Sequence, residues 1–173
     1  GLAAYRAVAK QFTYDTATLN PIKESNLGEV ANLNIQTHAF SEVGADDVYT
    51  HTTYAVLTNP DIKNKPSSIK ITSDSAGTIK LRETLFTIYD PTRGNLKESK
   101  QWLDNPAGYV VTSVNYDQYG NPTTVTDPAG IVTTTTFDAA YKTFPATQVT
   151  ATFTTLVTVD ARSGQVTQST DPK

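Results

Sequence analysis

The chain has 173 residues, a formal net charge of −3 and no run of Lys or Arg, which argues against the basic footprint of a nucleic-acid binder. It holds no cysteine, so a disulfide framework and thiolate chemistry are excluded, and no apolar stretch approaches the roughly 18 residues of a membrane-spanning helix. No signal peptide is read in it. It also lacks methionine, opens on Gly1-Leu2-Ala3-Ala4 and stops at Asp171-Pro172-Lys173, so the expectation is an excerpt from a longer polypeptide.

In chain order, the first stretch is ambiguous. Leu2 to Phe12 is Ala-rich enough for a helix, yet it runs into Phe12-Thr13-Tyr14-Asp15, which reads as the end of a strand; the strand has the better ending. Asp15 to Glu29 is expected to be loop, punctuated by Asn20-Pro21 and Leu27-Gly28. In Val30 to Phe40, Leu33, Ile35 and Thr37 alternate with Asn34, Gln36 and His38, which predicts a half-buried strand. Ser41 to Asp47 is a polar turn, and Val48 to Leu57 a Thr/Tyr/Val strand. Asn59-Pro60-Asp61 and Asn64-Lys65-Pro66 bracket a loop. Ser68 to Ser73 and Thr78 to Tyr89 are strands joined by the turn Asp74-Ser75-Ala76-Gly77. Asp90 to Gly94 turns, Asn95 to Leu103 is extended or irregular, and Asp104-Asn105-Pro106-Ala107-Gly108 turns again.

From Val110 onward the pattern is periodic. Tyr116-Asp117, Phe137-Asp138 and Val159-Asp160 lie at steps of 21 and 22 residues, and both Gly120/Gly164 and Asp127-Pro128/Asp171-Pro172 are separated by 44. Such a period marks a repeat array. Each unit is an extended β-branched segment, an Asp, a Gly-containing turn and a second strand, so that Val110, Thr112, Val114 and Tyr116 share one face, as do Ile131, Thr133, Thr135 and Phe137. Glycine supplies positive φ in the turn, and the Asp side chain bonds to the backbone two residues on. The expected fold is all-β, ten to twelve short strands in consecutive antiparallel hairpins.

Tyr89-Asp90, Gly94-Asn95-Leu96-Lys97, Gln101-Trp102-Leu103-Asp104 and the block Val111 to Pro122 resemble the RHS/YD-repeat family, and Thr133 to Pro145 extends the likeness. The nearest resemblance is to the middle region of toxin-complex B components and SpvB-like toxins, where it leads into YD repeats. Phe137 and Val159 depart from the repeat Tyr, and Ala151-Thr152-Phe153 from the usual Gly-containing turn. The resemblance implies a β-rich pre-repeat region over 1–88 and a hairpin array over 89–173, whose repeat positions are Tyr89, Asp90, Tyr116, Asp117, Gly120, Phe137, Asp138, Asp160 and Gly164. It implies a curved, shell-type sheet around a toxin or effector segment, in a secreted or cell-surface protein. The expected partners are the rest of the parent polypeptide, further repeats and that cargo, with self-association through open strand edges. A cell-surface adhesion or carbohydrate-binding domain is the alternative.

The chemistry-bearing residues point away from catalysis. His38 and His51 are the only histidines, and neither sits in a His-x-x-x-His or His-Glu pattern. Asp15, Asp90, Asp117, Asp138 and Asp160 recur with the turns and read as turn caps. Asp46-Asp47 and Asp74 to Gly77 fall short of a calcium loop. Asp127-Pro128-Ala129-Gly130 looks similar to part of the family's self-cleavage signature, but the second half is missing, so that activity is not carried over. Trp102, Tyr109 and Tyr119 could stack on a sugar, although packing is the simpler role. No enzyme activity, cofactor or metal is expected.

Overall fold

A computed structural model describes residues 6–58, 61–151, 153–160 and 162–170. Among them it contains no helix and fifteen strands: β1 (Ala7–Tyr14), β2 (Pro21–Ala31), β3 (Ser41–Glu42), β4 (Val48–Tyr54), β5 (Leu57–Thr58), β6 (Asp61–Ile62), β7 (Pro66–Thr72), β8 (Lys80–Tyr89), β9 (Leu96–Leu103), β10 (Gly108–Tyr116), β11 (Pro122–Thr126), β12 (Val132–Phe137), β13 (Pro145–Thr150), β14 (Phe153–Val159) and β15 (Val166–Thr170). The protein is all-β, as its composition leads one to expect. The main sheet runs β1-β2-β4-β7-β8-β9-β10-β11-β12-β13-β14-β15, with β3 on β2, while β5 and β6 pair only with each other. The pairings are antiparallel, and the order is a meander in which most strands are joined to the next by one turn.

Three expectations are corrected. The span Asp15 to Glu29 is a loop only as far as Asn20; Pro21 onward is the long strand β2. Its composition is polar, yet Lys23 to Asn26 pair with β1 on one side and β4 on the other, and ladder bonds on both edges override weak alternation. Val30 to Phe40 is strand only to Ala31. Beyond it Asn34 Oδ1 accepts the amides of Gln36 (3.0 Å) and Thr37 (2.9 Å), which bends the chain and leaves Ile35 72% exposed. Alternation there is accidental, because a local side-chain bond competes with the ladder. The strand expected over Val48 to Leu57 stops at Tyr54, and the loop after it carries the short β5–β6 hairpin. The surplus over ten to twelve strands comes largely from the two-residue strands β3, β5 and β6. Conversely, Asn95 to Leu103 is well ordered as β9. The expected features at Gly1 to Tyr5, Asn59-Pro60, Thr152, Ala161 and Asp171-Pro172-Lys173 lie outside the described residues.

By internal contacts the chain divides into two units: the chain up to Phe86 with Gln101–Gly108, and Thr87–Lys100 with the chain from Tyr109 onward. In the first, Leu27 and Val30 of β2 are the buried apolar side chains, beside buried Ser25 and Thr72. They gather at a bulge, where Leu27 and Gly28 together face Ala9 in the register between β1 and β2. Gly28 adopts φ 59°, which favours glycine, and a Cβ on it would meet the Asp46 carboxylate at 2.3 Å unless that side chain moved. In the second unit the strands alternate half-buried with exposed, as in Val110, Thr112, Val114 and Tyr116 against Tyr109, Val111 and Asn115. None of its described apolar side chains is fully buried.

The surface reflects this. Many large apolar side chains keep one side in water, among them Val8, Leu81, Phe153 and Val166. Because the first unit's core is so small, Leu27→Ala and Val30→Ala should each cost about 2 kcal/mol. Leu81→Ala, on a side chain 51% exposed, should cost under about 0.5 kcal/mol. Urea melts followed by the fluorescence of Trp102, the single tryptophan and a member of the same unit, would separate the two outcomes.

Candidate functional site

The residues singled out by the repeat come together as hairpin reversals. At Asp15, Asp90 and Asp160 the geometry is one and the same. The Asp amide donates to the carbonyl five residues on, the amide of the fourth residue on donates back to the Asp carbonyl, and that fourth residue has positive φ. Those fourth residues are Leu19, Gly94 and Gly164. At Asn34 the amide likewise donates to the carbonyl five residues on, Ala39, and the fourth residue, His38, has positive φ. Asp117 and Asp127 close the turn one residue sooner, with Gly120 and Gly130, while at Asp138 the closing carbonyl is one residue later, on Phe144, and the positive-φ residue is still the fourth, Lys142.

The carboxylates hold these loops from inside. Asp138 accepts the amides of Phe144 (2.9 Å), Tyr141 (2.5 Å) and Thr143 (2.9 Å), which pull its pKa down to about 2. Asp74 is likewise lowered to about 2 by the amides of Thr78 and Ile79. The Thr92 hydroxyl and amide lower Asp90, the Thr18 hydroxyl and amide lower Asp15, and the amides of Ser163 and Arg162 lower Asp160. For Asp117 desolvation is the largest influence and opposes ionisation, but bonds from Asn121, Tyr119 and Gly120 outweigh it. These carboxylates are committed to backbone amides, which leaves them turn caps in geometry.

A second feature of the reversals is absent from the sequence reading. Tyr14 lies opposite Pro21, Tyr54 opposite Pro66, Tyr116 opposite Pro122 and Phe137 opposite Pro145, each after a register shift at the strand end. Val159 opposite Val166 is the same bulged closure without the aromatic–proline pair. Proline fits there because the first residue of a strand can forgo its N–H. The signal was available as an aromatic followed by proline six to twelve residues later. It marks the same aromatic–proline closure at Tyr14 and Tyr54, ahead of Tyr89.

In the second unit neighbouring reversals are also tied to one another. Arg93 Nη2 donates to the Gln118 carbonyl, and Asn121 Nδ2 to the Lys142 carbonyl. The Phe144 ring lies over Gly164, where a Cβ would come within 2.9 Å of Cε1. Tyr116 is half-buried and donates its hydroxyl to the Leu96 carbonyl at 2.7 Å. Tyr89 and Phe137 are half-buried at the ends of their own strands, each just before its Asp.

The other candidates are dispersed. His38 sits in the exposed Asn34 turn, and His51 Nε2 lies 3.2 Å from Thr72 Oγ1. Asp47 accepts the Tyr49 hydroxyl at 2.6 Å, which pushes the phenol up to about 12, and Glu42 nearby is raised by desolvation and then by Asp47 and Asp46. The described residues contain no group of three His, Asp or Glu placed to hold a metal ion. Trp102 has Lys80 Nζ 4.3 Å from its ring centre. Tyr109 is the second residue of β10 and Tyr119 lies beyond the strand's end at Tyr116, so strand rise alone separates them by roughly 23 Å, too far for one stacking platform. No protein-family model and no curated protein matches the chain.

Two outcomes test the reversals. Asp74 and Asp138 have folded-state pKa values below the ordinary 3.8, so their contribution is complete above about pH 4 and is lost as pH falls through about 2. Amide exchange at Ile79 and Phe144 should accelerate relative to intrinsic rates in that window, and Asp138→Asn should abolish the change at Phe144 only. At Tyr116, replacement by Phe should cost about 1 kcal/mol for the lost bond to Leu96. Replacement by Ala should cost about 2 kcal/mol, since the ring is only half-buried. Urea midpoints of the three proteins measure both.

Proposed function

We propose that this chain is a structural segment of an RHS/YD-repeat array that surrounds a toxin or effector polypeptide. The observation that carries the reading is the near-absence of a private core. Leu27 and Val30 are the buried apolar side chains among the described residues, while Val8, Ile35, Val56 and Val166 are each more than 60% exposed. A hairpin array of this kind gains its stability from neighbours that continue or cover the sheet. The repeated Asp reversal and the ties between successive reversals support the same reading, because they make each hairpin a module that fits beside the next. The committed carboxylates and scattered histidines favour a non-enzymatic role. Secretion to the cell exterior follows from the family resemblance.

Under this reading the partners are further hairpins of the same polypeptide and an enclosed segment. The sheet's terminal strands differ in their readiness to pair. β1 carries Lys10, a charge that discourages added strands, whereas β15 is exposed, uncharged and free of proline. The isolated chain therefore self-associates through β15. Sedimentation should show a concentration-dependent dimer. Of the adjacent changes Thr167→Pro and Gln168→Pro, the one that removes the outward N–H should return it to monomer. A strict monomer at high concentration defeats edge pairing.

The shell itself is tested in the reading frame that encodes the chain. That frame should continue into more Asp-turn hairpins and a non-repeating segment. Produced as one polypeptide, the segment should resist trypsin under conditions that digest it when produced alone. A frame ending in a wall anchor, or equal digestion in both forms, overturns the proposal in favour of adhesion.

A further inference from the structure

Lys23, His51 and Lys70 stand directly opposite one another on neighbouring strands. Lys23 pairs with His51 across β2 and β4, and His51 with Lys70 across β4 and β7. Residues so placed share one face of the sheet, and like charges there repel. The reversal Asp74–Gly77 between β7 and β8 folds onto this row. Lys23 Nζ donates to the Ser75 carbonyl (3.0 Å) and hydroxyl (2.6 Å), and Lys70 Nζ to the Gly77 carbonyl (2.9 Å). The His51 ring is so near that a Cβ on Gly77 would lie 3.2 Å from Nε2.

Underneath, Thr72 is wholly buried and donates its hydroxyl to the Asp74 carbonyl at 2.8 Å. Its single hydrogen is thereby used, so the contact with His51 has Nε2–H donating to Thr72 Oγ1 and places the lone pair of the neutral ring on Nδ1. Neither lysine has a carboxylate ion-pair partner among the described residues. The charged groups around the ring are Lys23 on β2, Lys70 on β7 and Asp74 in the turn. Beyond Lys70, Glu83 on β8 pairs with Lys80, and on β4 itself Tyr49 lies beneath Lys23 and bonds Asp47. The Asp74 carboxylate is held by the Thr78 and Ile79 amides.

We propose that this row is an acid-sensitive latch: a proton taken from solvent at Nδ1 of His51 sets a third cation between two lysines and loosens the Asp74–Gly77 reversal from the sheet. The electrostatics agree in direction. Desolvation first, then Lys23 and Lys70, hold His51 below its ordinary 6.5, with Asp74 opposing in part. A histidine whose folded pKa is depressed stabilises the fold fully above about 6.5, and that contribution is lost as pH falls through the folded value. The latch is independent of the shell reading, since it rests on the first unit alone.

The test is made on the full chain by NMR. Protection factors at Gly77, Thr78 and Ile79 should fall severalfold between pH 7.5 and pH 5, while Gly120 in the Asp117 reversal keeps its value. His51→Gln, which retains a donor for Thr72 but does not titrate, should remove the pH dependence. In the wild type the ring should titrate below 6.5, and Lys23→Gln or Lys70→Gln should raise that value. Unchanged protection in the wild type, a fall that persists in His51→Gln, or a ring pKa unmoved by both lysine changes would overturn the latch.

Discussion

A chain that reverses direction must find partners for the backbone groups at the bend, and here an aspartate carboxylate does so at most reversals. The carboxylate sits at the end of the incoming strand and gathers the amides of the loop beneath it. A residue with positive φ then turns the chain into the outgoing strand. The arrangement is local, so it can be repeated without reference to distant parts of the fold. Loop length varies between copies, yet the same bonds close each one. The bulged aromatic–proline pair at the mouth of several loops sets where the ladder begins, since the proline N has no hydrogen to donate to it.

Cohesion that is local at the turns has a consequence for burial. Strand pairing satisfies the backbone, but a sheet needs something against its faces to bury side chains. In the first unit the burial of apolar side chains is concentrated on β2 at Leu27, which lies in a bulge, and Val30. In the second, alternating side chains such as Val114 and Tyr116 are only half-covered. The surface is compatible with an ordered sheet because so many outward positions are threonine, which favours strands without being strongly apolar. This is the physical link between the hairpin module and the proposed role as part of a larger enclosure. Modules of this type gain from each added neighbour.

The reversals are also chemically unequal. Those of the second unit are held by carboxylates and bridged by Arg93, Asn121 and Phe144. The Asp74 reversal has its own carboxylate cap but is additionally clasped from below by two lysines and a histidine. A shared turn design thus supports different responses to acid, according to which side chains the adjacent strands place under it.

Much of this was legible in the residues themselves. The period near 22, the Asp at each strand end and the glycines at Gly120 and Gly164 specify hairpins, because turn formation depends on interactions spanning five or six residues. The all-β class follows from the same local chemistry. The long polar strand β2 was not legible: Lys23 to Asn26 carry no strand signal and are held by partners on both edges. Nor was the Asn34 turn, whose alternating Leu33 and Ile35 imitate a buried face. The aromatic–proline closures were present in the sequence, but their register emerges only when a bulge aligns the two positions. The row Lys23, His51 and Lys70, drawn from three strands separated by loops, exists only through strand pairing. Local bonding determined where this chain turns, and non-local pairing decided which side chains share a face, because register depends on partners that no single segment contains.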